Sequence, residues 1–295
     1  MFEKIREVVD QHYRQHKKSL EQCYPGLNKT IYLREVLSFI GSKTDENQII
    51  DSSSEYKLKQ FFELSGDGVP FEYISGMGHF YGRDFIVGPG VLIPRQETEI
   101  IIEEVLLIKN RFTSKIKVLD LCTGSGCLGL TLACQLRELV SDLYLTDISE
   151  EALEYATKNC AKFEFQLSSM TRLSVLKSDL LDSVDEKFEL IVSNPPYIKR
   201  KEHLSRVHGQ VTRFEPDMAL FVDDDEYDKF FNRLFRGVSE VLLIGGLFFM
   251  EGHEDEIKFL ANKWKASFPK DEVKVIQDLS SRDRFIRVIK EGLNG

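Results

Sequence analysis

Phe188-Glu189-Leu190-Ile191-Val192-Ser193-Asn194-Pro195-Pro196-Tyr197 is the stretch of this chain on which its fold turns. A short, apolar, β-branched run stops abruptly at two prolines. That is the pattern of a central strand in a parallel sheet whose carboxyl end opens onto a rigid loop. Ligands of open α/β sheets sit outside such carboxyl ends. Asn194, Pro195, Pro196 and Tyr197 would therefore set a side-chain amide, a fixed backbone carbonyl and an aromatic face beside a cleft. Those groups suit a planar nitrogen: the Asn oxygen and the carbonyl accept its hydrogens, and the ring stacks on it. The chemistry suggested is methyl transfer to an amide or an exocyclic amine. Taken alone, the four residues also fit a sharp turn in which Tyr197 simply packs.

Outward from this stretch, strands and helices alternate after residue 115, the sequence form of an α/β fold with a parallel sheet. Strands are predicted at 117–121, 143–147, 173–176, 190–194, 246–251, 273–279 and 284–289. Helices are predicted at 127–140, 150–161, 226–243 and 255–267. Only Ser280-Ser281-Arg282-Asp283 separates the last two strands, too short for a helical crossover, so they should pair as an antiparallel hairpin.

The first of these strands runs into Cys122-Thr123-Gly124-Ser125-Gly126 and then an apolar-periodic helix. Glycines there let the backbone approach a ligand, and the helix start offers unpaired N–H groups. Asp147, at the end of the next strand, lies 147 − 126 = 21 residues past the last glycine, the usual distance for a carboxylate that binds ribose hydroxyls. It could instead cap the following helix, a job Ser149 can also do. Asp179 ends the third strand and could accept from an adenine amino group or stand as an ordinary loop acid. Gly124, Gly126 and Gly129 also satisfy a dinucleotide fingerprint, so two adenine-nucleoside cofactors fit the loop. The closing hairpin and the Asn-Pro-Pro-Tyr loop favour S-adenosylmethionine.

Residues 1–75 read as a small helical domain, with Phe2, Ile5, Val8, Val9 and Tyr13, then Leu33, Val36, Leu37 and Ile40, then Leu58, Phe61, Phe62 and Leu64 at helical spacing. Asp51 to Ser54 form a loop that supplies an N-cap for the third helix. Residues 76–94 turn aromatic and β-branched and are predicted as a β-hairpin linker turning at Gly88-Pro89-Gly90, with the remaining domain at 95–295. A net charge of −9 argues against a long nucleic acid as the main partner. The five cysteines form no CxxC pair and the histidines do not cluster, so neither a zinc site nor a disulfide framework is implied and a cytoplasmic setting is expected. The opening residues are amphipathic rather than a signal peptide, and no apolar run reaches membrane-spanning length. A monomer is expected, since no exposed apolar seam stands out.

At this point the chain resembles the HemK/PrmC family of protein glutamine methyltransferases over roughly residues 70–290. Four segments carry the resemblance: Pro70 to Gly76 with Phe80-Tyr81-Gly82; Leu92-Ile93-Pro94-Arg95-Gln96-Glu97-Thr98-Glu99; Asp120 to Gly126; and Ser193 to Ile198. Glu215-Pro216 with Ala219-Leu220, Gly245 to Gly252 ending in Glu251, and Asp278 with Arg282 to Arg284 also fit. The resemblance implies a seven-stranded, Rossmann-like methyltransferase domain behind a small amino-terminal helical domain. It implies S-adenosylmethionine bound at Cys122, Thr123, Gly124, Ser125, Gly126, Asp147, Asp179 and Leu180, with Asn194 beside it. A glutamine side chain would be held by Asn194 and the Pro195 carbonyl, with Tyr197 and its neighbours shaping the slot. The family's usual substrate is the glutamine of the Gly-Gly-Gln loop of class 1 peptide chain release factors. A sister group acts on a large-subunit ribosomal protein, and enzymes that methylate adenine or guanine amino groups share Asn-Pro-Pro-Tyr. A binding protein that keeps the loop only as structure is the non-enzymatic alternative. Four departures are notable. Cys122 stands where the family usually has glycine, which predicts a backbone there with no need of the left-handed region. Gln96 replaces a common proline, Leu180 replaces a frequent aromatic, and Asp223-Asp224-Asp225 replaces a more neutral loop.

Overall fold

The computed structural model of the chain describes residues 4–41 and 50–292, so the apolar position assigned to Phe2 lies outside the described residues. Two compact units emerge: one comprises the chain to Met77 with Val87–Pro89 and Val207–Glu215, the other Gly78–Ile86, Gly90–Arg206 and the chain from Pro216 onward.

In the first unit, α1 (Ile5–Cys23), α2 (Lys29–Ile40) and α3 (Ser52–Gly66) are followed by the single turn α4 (Phe71–Ser75). Their apolar stripes meet in one core: Ile5, Val9 and Tyr13 from α1, Tyr32, Val36 and Ile40 from α2, Leu58 and Phe61 from α3. Side chains start two of the helices, Asn28 accepting from the Ile31 N–H at 3.0 Å and Asp51 from the Ser54 N–H at 2.7 Å. A segment remote in sequence completes the unit. From α9 (Gly209–Phe214), Gln210 Nε2 donates to the Gly68 carbonyl at 2.8 Å and Arg213 to that of Asp67 at 3.0 Å.

The hairpin of β1 (Met77–Phe80) and β2 (Arg83–Ile86) turns at Tyr81-Gly82, not at Gly88-Pro89-Gly90. Both central residues have positive φ, 49° and 71°, the requirement of the two-residue hairpin turn that matches strand twist. Glu99 steadies the unusual tyrosine by accepting from its N–H at 2.8 Å.

Seven strands of the second unit form one sheet. β3 (Ile116–Leu121), β4 (Val140–Asp147), β5 (Arg172–Lys177), β6 (Phe188–Ser193) and β9 (Leu242–Glu251) are mutually parallel; β11 (Asp283–Ile289) pairs antiparallel with β9 and with β10 (Glu272–Gln277). Across the sheet the order is β10-β11-β9-β6-β3-β4-β5. This is the α/β, seven-stranded architecture that the alternation predicts. β6 lies between parallel neighbours, and Phe188, Leu190, Ile191 and Val192 are wholly buried, which is why its sequence shows no alternation.

Helices α5 (Glu99–Leu107), α6 (Cys127–Gln135), α7 (Glu150–Phe163), α11 (Tyr227–Val241) and α12 (Ile257–Ser267) accompany the sheet. Short helices α8 (Arg200–His203) and α10 (Asp217–Leu220) flank a two-residue parallel pairing of β7 (Ile198–Lys199) with β8 (Phe221–Val222). Trp264 of α12 is fully buried against Phe235 and Phe248, its ring N–H given to Asp271 at 3.0 Å. Among the described residues no helix is long and apolar enough to cross a membrane.

From β3 the chain winds outward through β4 to β5, then returns to place β6 on the other side of β3. The carboxyl ends of β3 and β6 are thus the topological switch point, where a parallel sheet leaves a crevice. Cys122 and Asn194 are the residues that follow those two ends.

Candidate active site

The loop after β3 is tied down from below. Asp120 is buried in β3, and its Oδ2 accepts from the Thr123 hydroxyl at 2.6 Å and from the Gly129 N–H at 2.8 Å. Thr123 N–H reaches the Thr146 carbonyl at 2.9 Å, fastening the loop to β4. Asp147, at the end of β4, accepts from Gly124 N–H through Oδ2 at 2.9 Å and from Ser149 N–H through Oδ1 at 3.0 Å. Ser149, meanwhile, caps α7 by accepting from Ala152 N–H at 3.2 Å. Asn159 of α7 is buried beneath the loop, giving its amide hydrogens to the carbonyls of Ser125 and Ile86, each at 2.9 Å.

These bonds reverse one expectation. Cys122 has φ of 60°, in the left-handed region, although it is not glycine. The chain must bend sharply after Leu121 for Thr123 to meet Thr146 and for Gly124 to meet Asp147. Those two bonds and the packing of Cys122 against the core hold a conformation that costs roughly 1–2 kcal/mol for a residue with a Cβ. Leu180 also lies in the left-handed region, at φ of 50°. Gly126 does not line the cleft; it caps α6 at φ of 81°, where a Cβ would press on Leu130 and Leu145 at 3.2 and 3.3 Å.

Burial governs the electrostatics. Asp120 is pushed up to about 7 by burial, against the pull of the Thr123 and Gly129 hydrogen bonds, with the Asp147 charge adding to the rise. Asp147 is raised in the same way, its backbone donors opposing. Burial also lifts the Cys122 thiol well above its ordinary range, so it is an inert side chain.

A cavity of about 420 Å³ opens above these strand ends, within the range of small-molecule sites. Cys122, Thr123, Gly124, Ser125, Asp147, Asp179, Leu180, Asn194 and Pro196 all line it; Gly126, Pro195 and Tyr197 do not. Parts of the segments 91–98 and 216–230, among them Arg95, Thr98, Phe221 and Phe230, supply further wall. Asp179 stands at the rim, half-exposed, with its carboxylate paired to Arg233 at 2.9 Å. S-adenosylmethionine fits what is present. Each oxygen of Asp147 has spent one lone pair on the backbone and keeps another for a ribose hydroxyl. Ile148 and Leu180 offer apolar faces for a base, and the loop brings main chain close to the cavity.

At the end of β6 a second set of bonds lies behind the wall. Ser193 gives its hydroxyl proton to the Leu121 carbonyl at 2.6 Å, locking β6 to β3. Asn194 Nδ2 donates to Thr98 Oγ1 at 3.2 Å, and Thr98 donates to Glu251 Oε2 at 2.5 Å. Glu251 ends β9 and is 1% exposed; its Oε1 accepts from the Tyr197 hydroxyl at 2.9 Å. Burial raises the Glu251 carboxyl, while Thr98, Tyr197 and the Arg284 charge oppose the rise. The stacking face expected of Tyr197 is therefore corrected. Its hydroxyl is claimed by Glu251 and its ring packs against the sheet core, which leaves Asn194 and Pro196 as the wall at this strand end.

Thr98 and Glu251 belong to segments quoted for the family resemblance, yet sequence reasoning assigned neither a task. The available signal was a lone carboxylate closing the wholly apolar run Leu247-Phe248-Phe249-Met250. Elsewhere, His203, His253 and Asp255 bring potential ligand atoms within 4.8 Å of one another. The two rings are stacked face to face at 3.9 Å and 9°, so their in-plane lone pairs cannot converge on one ion, and Asp255 is paired with Arg206.

This chain, with its sheet and its cleft at the switch point, is an S-adenosylmethionine-dependent methyltransferase by its relatives, and the family model described as methyltransferase small domain matches residues 98–213. Release factor glutamine methyltransferases are similar along most of its length. That of Thermodesulfovibrio yellowstonii is 34% identical over 247 residues, 82% of this chain and 84% of its own. That of Koribacter versatilis is 39% identical over 224 residues, 74% of each chain, and that of Clostridium acetobutylicum 33% identical over 295 residues, 94% of this chain and 99% of its own. The chain belongs to the release factor glutamine methyltransferase family.

Proposed function

We propose that this protein transfers the methyl group of S-adenosylmethionine to the side-chain nitrogen of the glutamine in the Gly-Gly-Gln loop of a class 1 peptide chain release factor. The observation that carries the reading is the placement of Asn194 at the switch-point cleft, beside the loop and carboxylate that suit the cofactor. Its family membership supports the same reaction.

Bound S-adenosylmethionine supplies a sulfonium-activated methyl group. An amide nitrogen is a poor nucleophile because its lone pair is delocalised into the carbonyl, so the protein's task is alignment and relief of that delocalisation. Asn194 Oδ1 and the Pro195 carbonyl accept the two amide hydrogens, turning the nitrogen lone pair into the cleft. The same acceptors stabilise positive charge as it develops on that nitrogen. Proline fixes the carbonyl in advance, and Pro195 is itself buried. Asp147 holds the ribose, and Cys122 to Ser125 with Asp179 and Leu180 shape the remainder of the cofactor site. All five cysteines are free thiols, as suits a cytoplasmic setting, where we place the protein as a monomer.

The test is transfer of labelled methyl to a purified class 1 release factor, with its Gly-Gly-Gln glutamine changed to alanine as control. Label on the first and not on the second is the expected result. Label on neither, with cofactor binding established by calorimetry, would overturn the substrate assignment.

A further inference from the structure

An asparagine side chain has nearly the same shape whichever way its amide is turned. Which end it shows to a ligand is decided by its hydrogen-bond partners alone. Asn194 must show oxygen if it is to accept from a glutamine amide. Turned over, it would set its own NH2 against the NH2 of the substrate, donor against donor.

We propose that Thr98 and Glu251 are positioning residues which fix the direction of the Asn194 amide, so that its oxygen faces the reacting glutamine. This rests on the glutamine-transfer reading and deepens it. The number of protons available decides the direction of each bond. An ionised carboxylate only accepts, so the hydroxyls of Tyr197 and Thr98 both donate to Glu251, at 2.9 and 2.5 Å. Thr98 has one hydroxyl proton, and Glu251 holds it. The Thr98 oxygen can then only accept, and the group 3.2 Å away must be the Asn194 nitrogen. The reversed amide would leave two oxygens facing each other with no proton between them, the penalty of an unmade bond in a water-poor setting.

The three residues come from distant parts of the chain. Thr98 precedes α5 and is 3% exposed, Glu251 closes the interior strand β9 at 1% exposed, and Asn194 follows the central strand β6. Burial raises the Glu251 carboxyl; the hydroxyls of Thr98 and Tyr197, then the Arg284 charge, oppose that rise and favour the ionised form on which the proton count rests. Tyr197 supplies the second donor to that carboxylate, which gives it a use in place of stacking.

Three variants of the full-length protein test this: Thr98→Val, which keeps the shape and removes the hydroxyl, Thr98→Ser, which restores it, and Glu251→Gln. The first readout is the ¹⁵N-resolved signal of the Asn194 side-chain NH2, assigned by its loss in Asn194→Asp. One of its two protons should be protected from exchange in the wild type and in Thr98→Ser, but not in Thr98→Val. The second readout is turnover on a class 1 release factor, beside the affinity for S-adenosylhomocysteine. Thr98→Val should lose roughly ten- to a hundredfold in kcat at unchanged cofactor affinity, Thr98→Ser should regain most of it, and Glu251→Gln, which no longer dictates the donor direction, should also fall. A protected amide or wild-type turnover in Thr98→Val would overturn the proposal. So would a Thr98→Ser variant as slow as Thr98→Val, because the hydroxyl would then not be the operative group. Should the wild type label no release factor, the substrate reading fails instead, and the exchange of the Asn194 amide still decides what holds it.

Discussion

Replacing Asp147 with asparagine swaps one carboxylate oxygen for an NH2, and the structure gives that small change a large expected effect. Oδ2 accepts from Gly124 N–H at 2.9 Å and Oδ1 from Ser149 N–H at 3.0 Å. Whichever way the new amide turns, its NH2 faces one of these backbone donors. One loop bond is lost, and the ribose loses half of a charged acceptor. Hydrogen bonds to charged groups contribute about 1.5–3 kcal/mol each, and relief of the buried charge offsets part of the loss. A net deficit of roughly 2–4 kcal/mol in cofactor binding corresponds to a Kd raised about thirtyfold to a thousandfold. The assay is calorimetric titration of S-adenosylhomocysteine into wild type and Asp147→Asn. Because burial lifts Asp147 above the ordinary aspartate range, wild-type affinity should decline on acidification before a surface aspartate would protonate, a slope the variant should lack. A variant Kd within about threefold of wild type would remove Asp147 from the site, since even one lost charged bond exceeds that.

Asn194→Ala should lower turnover by about a hundredfold or more while leaving cofactor affinity largely intact, as expected for a group whose oxygen is directed at the reacting amide; near-normal turnover would sink its role. Asp120, raised from 3.8 to about 7, binds its proton more tightly in the folded state, so it stabilises the protein below the ordinary aspartate range and this contribution is lost as pH rises through 7. At 1.36 kcal/mol per unit the loss is about 4 kcal/mol, and Asp120→Asn should flatten the decline of unfolding free energy between about pH 4 and about pH 8. Identical slopes in wild type and variant would contradict it. In Gly129→Ala the added Cβ would stand 2.7 Å from Leu145 Cδ2 and 2.8 Å from Asp120 Cβ. Denaturant unfolding should show a loss of about 1–3 kcal/mol from overpacking, and wild-type stability would mean that α6 shifts freely.

Wherever local chemistry decided the structure, the sequence could be read. Strands buried on both faces showed as apolar runs, the glycine loop showed between strand and helix, and Asp147 showed by its spacing. What could not be read depends on partners far along the chain. The Thr98–Glu251 bond joins residues 153 positions apart. The left-handed backbone of Cys122 is imposed by bonds from the next two residues to β4, which no rule about cysteine contains. Tyr197 looked like a stacking face because a buried carboxylate waiting for its hydroxyl cannot be seen in Asn-Pro-Pro-Tyr. Gly88-Pro89-Gly90 has turn composition, yet Tyr81-Gly82 makes the turn, since the length of the two paired strands fixes its position.

The grouping of Val207–Glu215 with the amino-terminal helices has a consequence for how this protein can be divided. The backbone passes from one unit to the other after Met77, Ile86, Pro89, Arg206 and Glu215, so neither unit is a continuous piece of chain. A fragment starting at residue 78 would carry α9 without the Gly68 and Asp67 carbonyls that hold Gln210 and Arg213. A fragment ending there would lack α9 altogether. Helical unit and catalytic unit are interleaved rather than strung together, and an exchange of one for its counterpart in a relative must carry three separate cassettes of sequence to be complete.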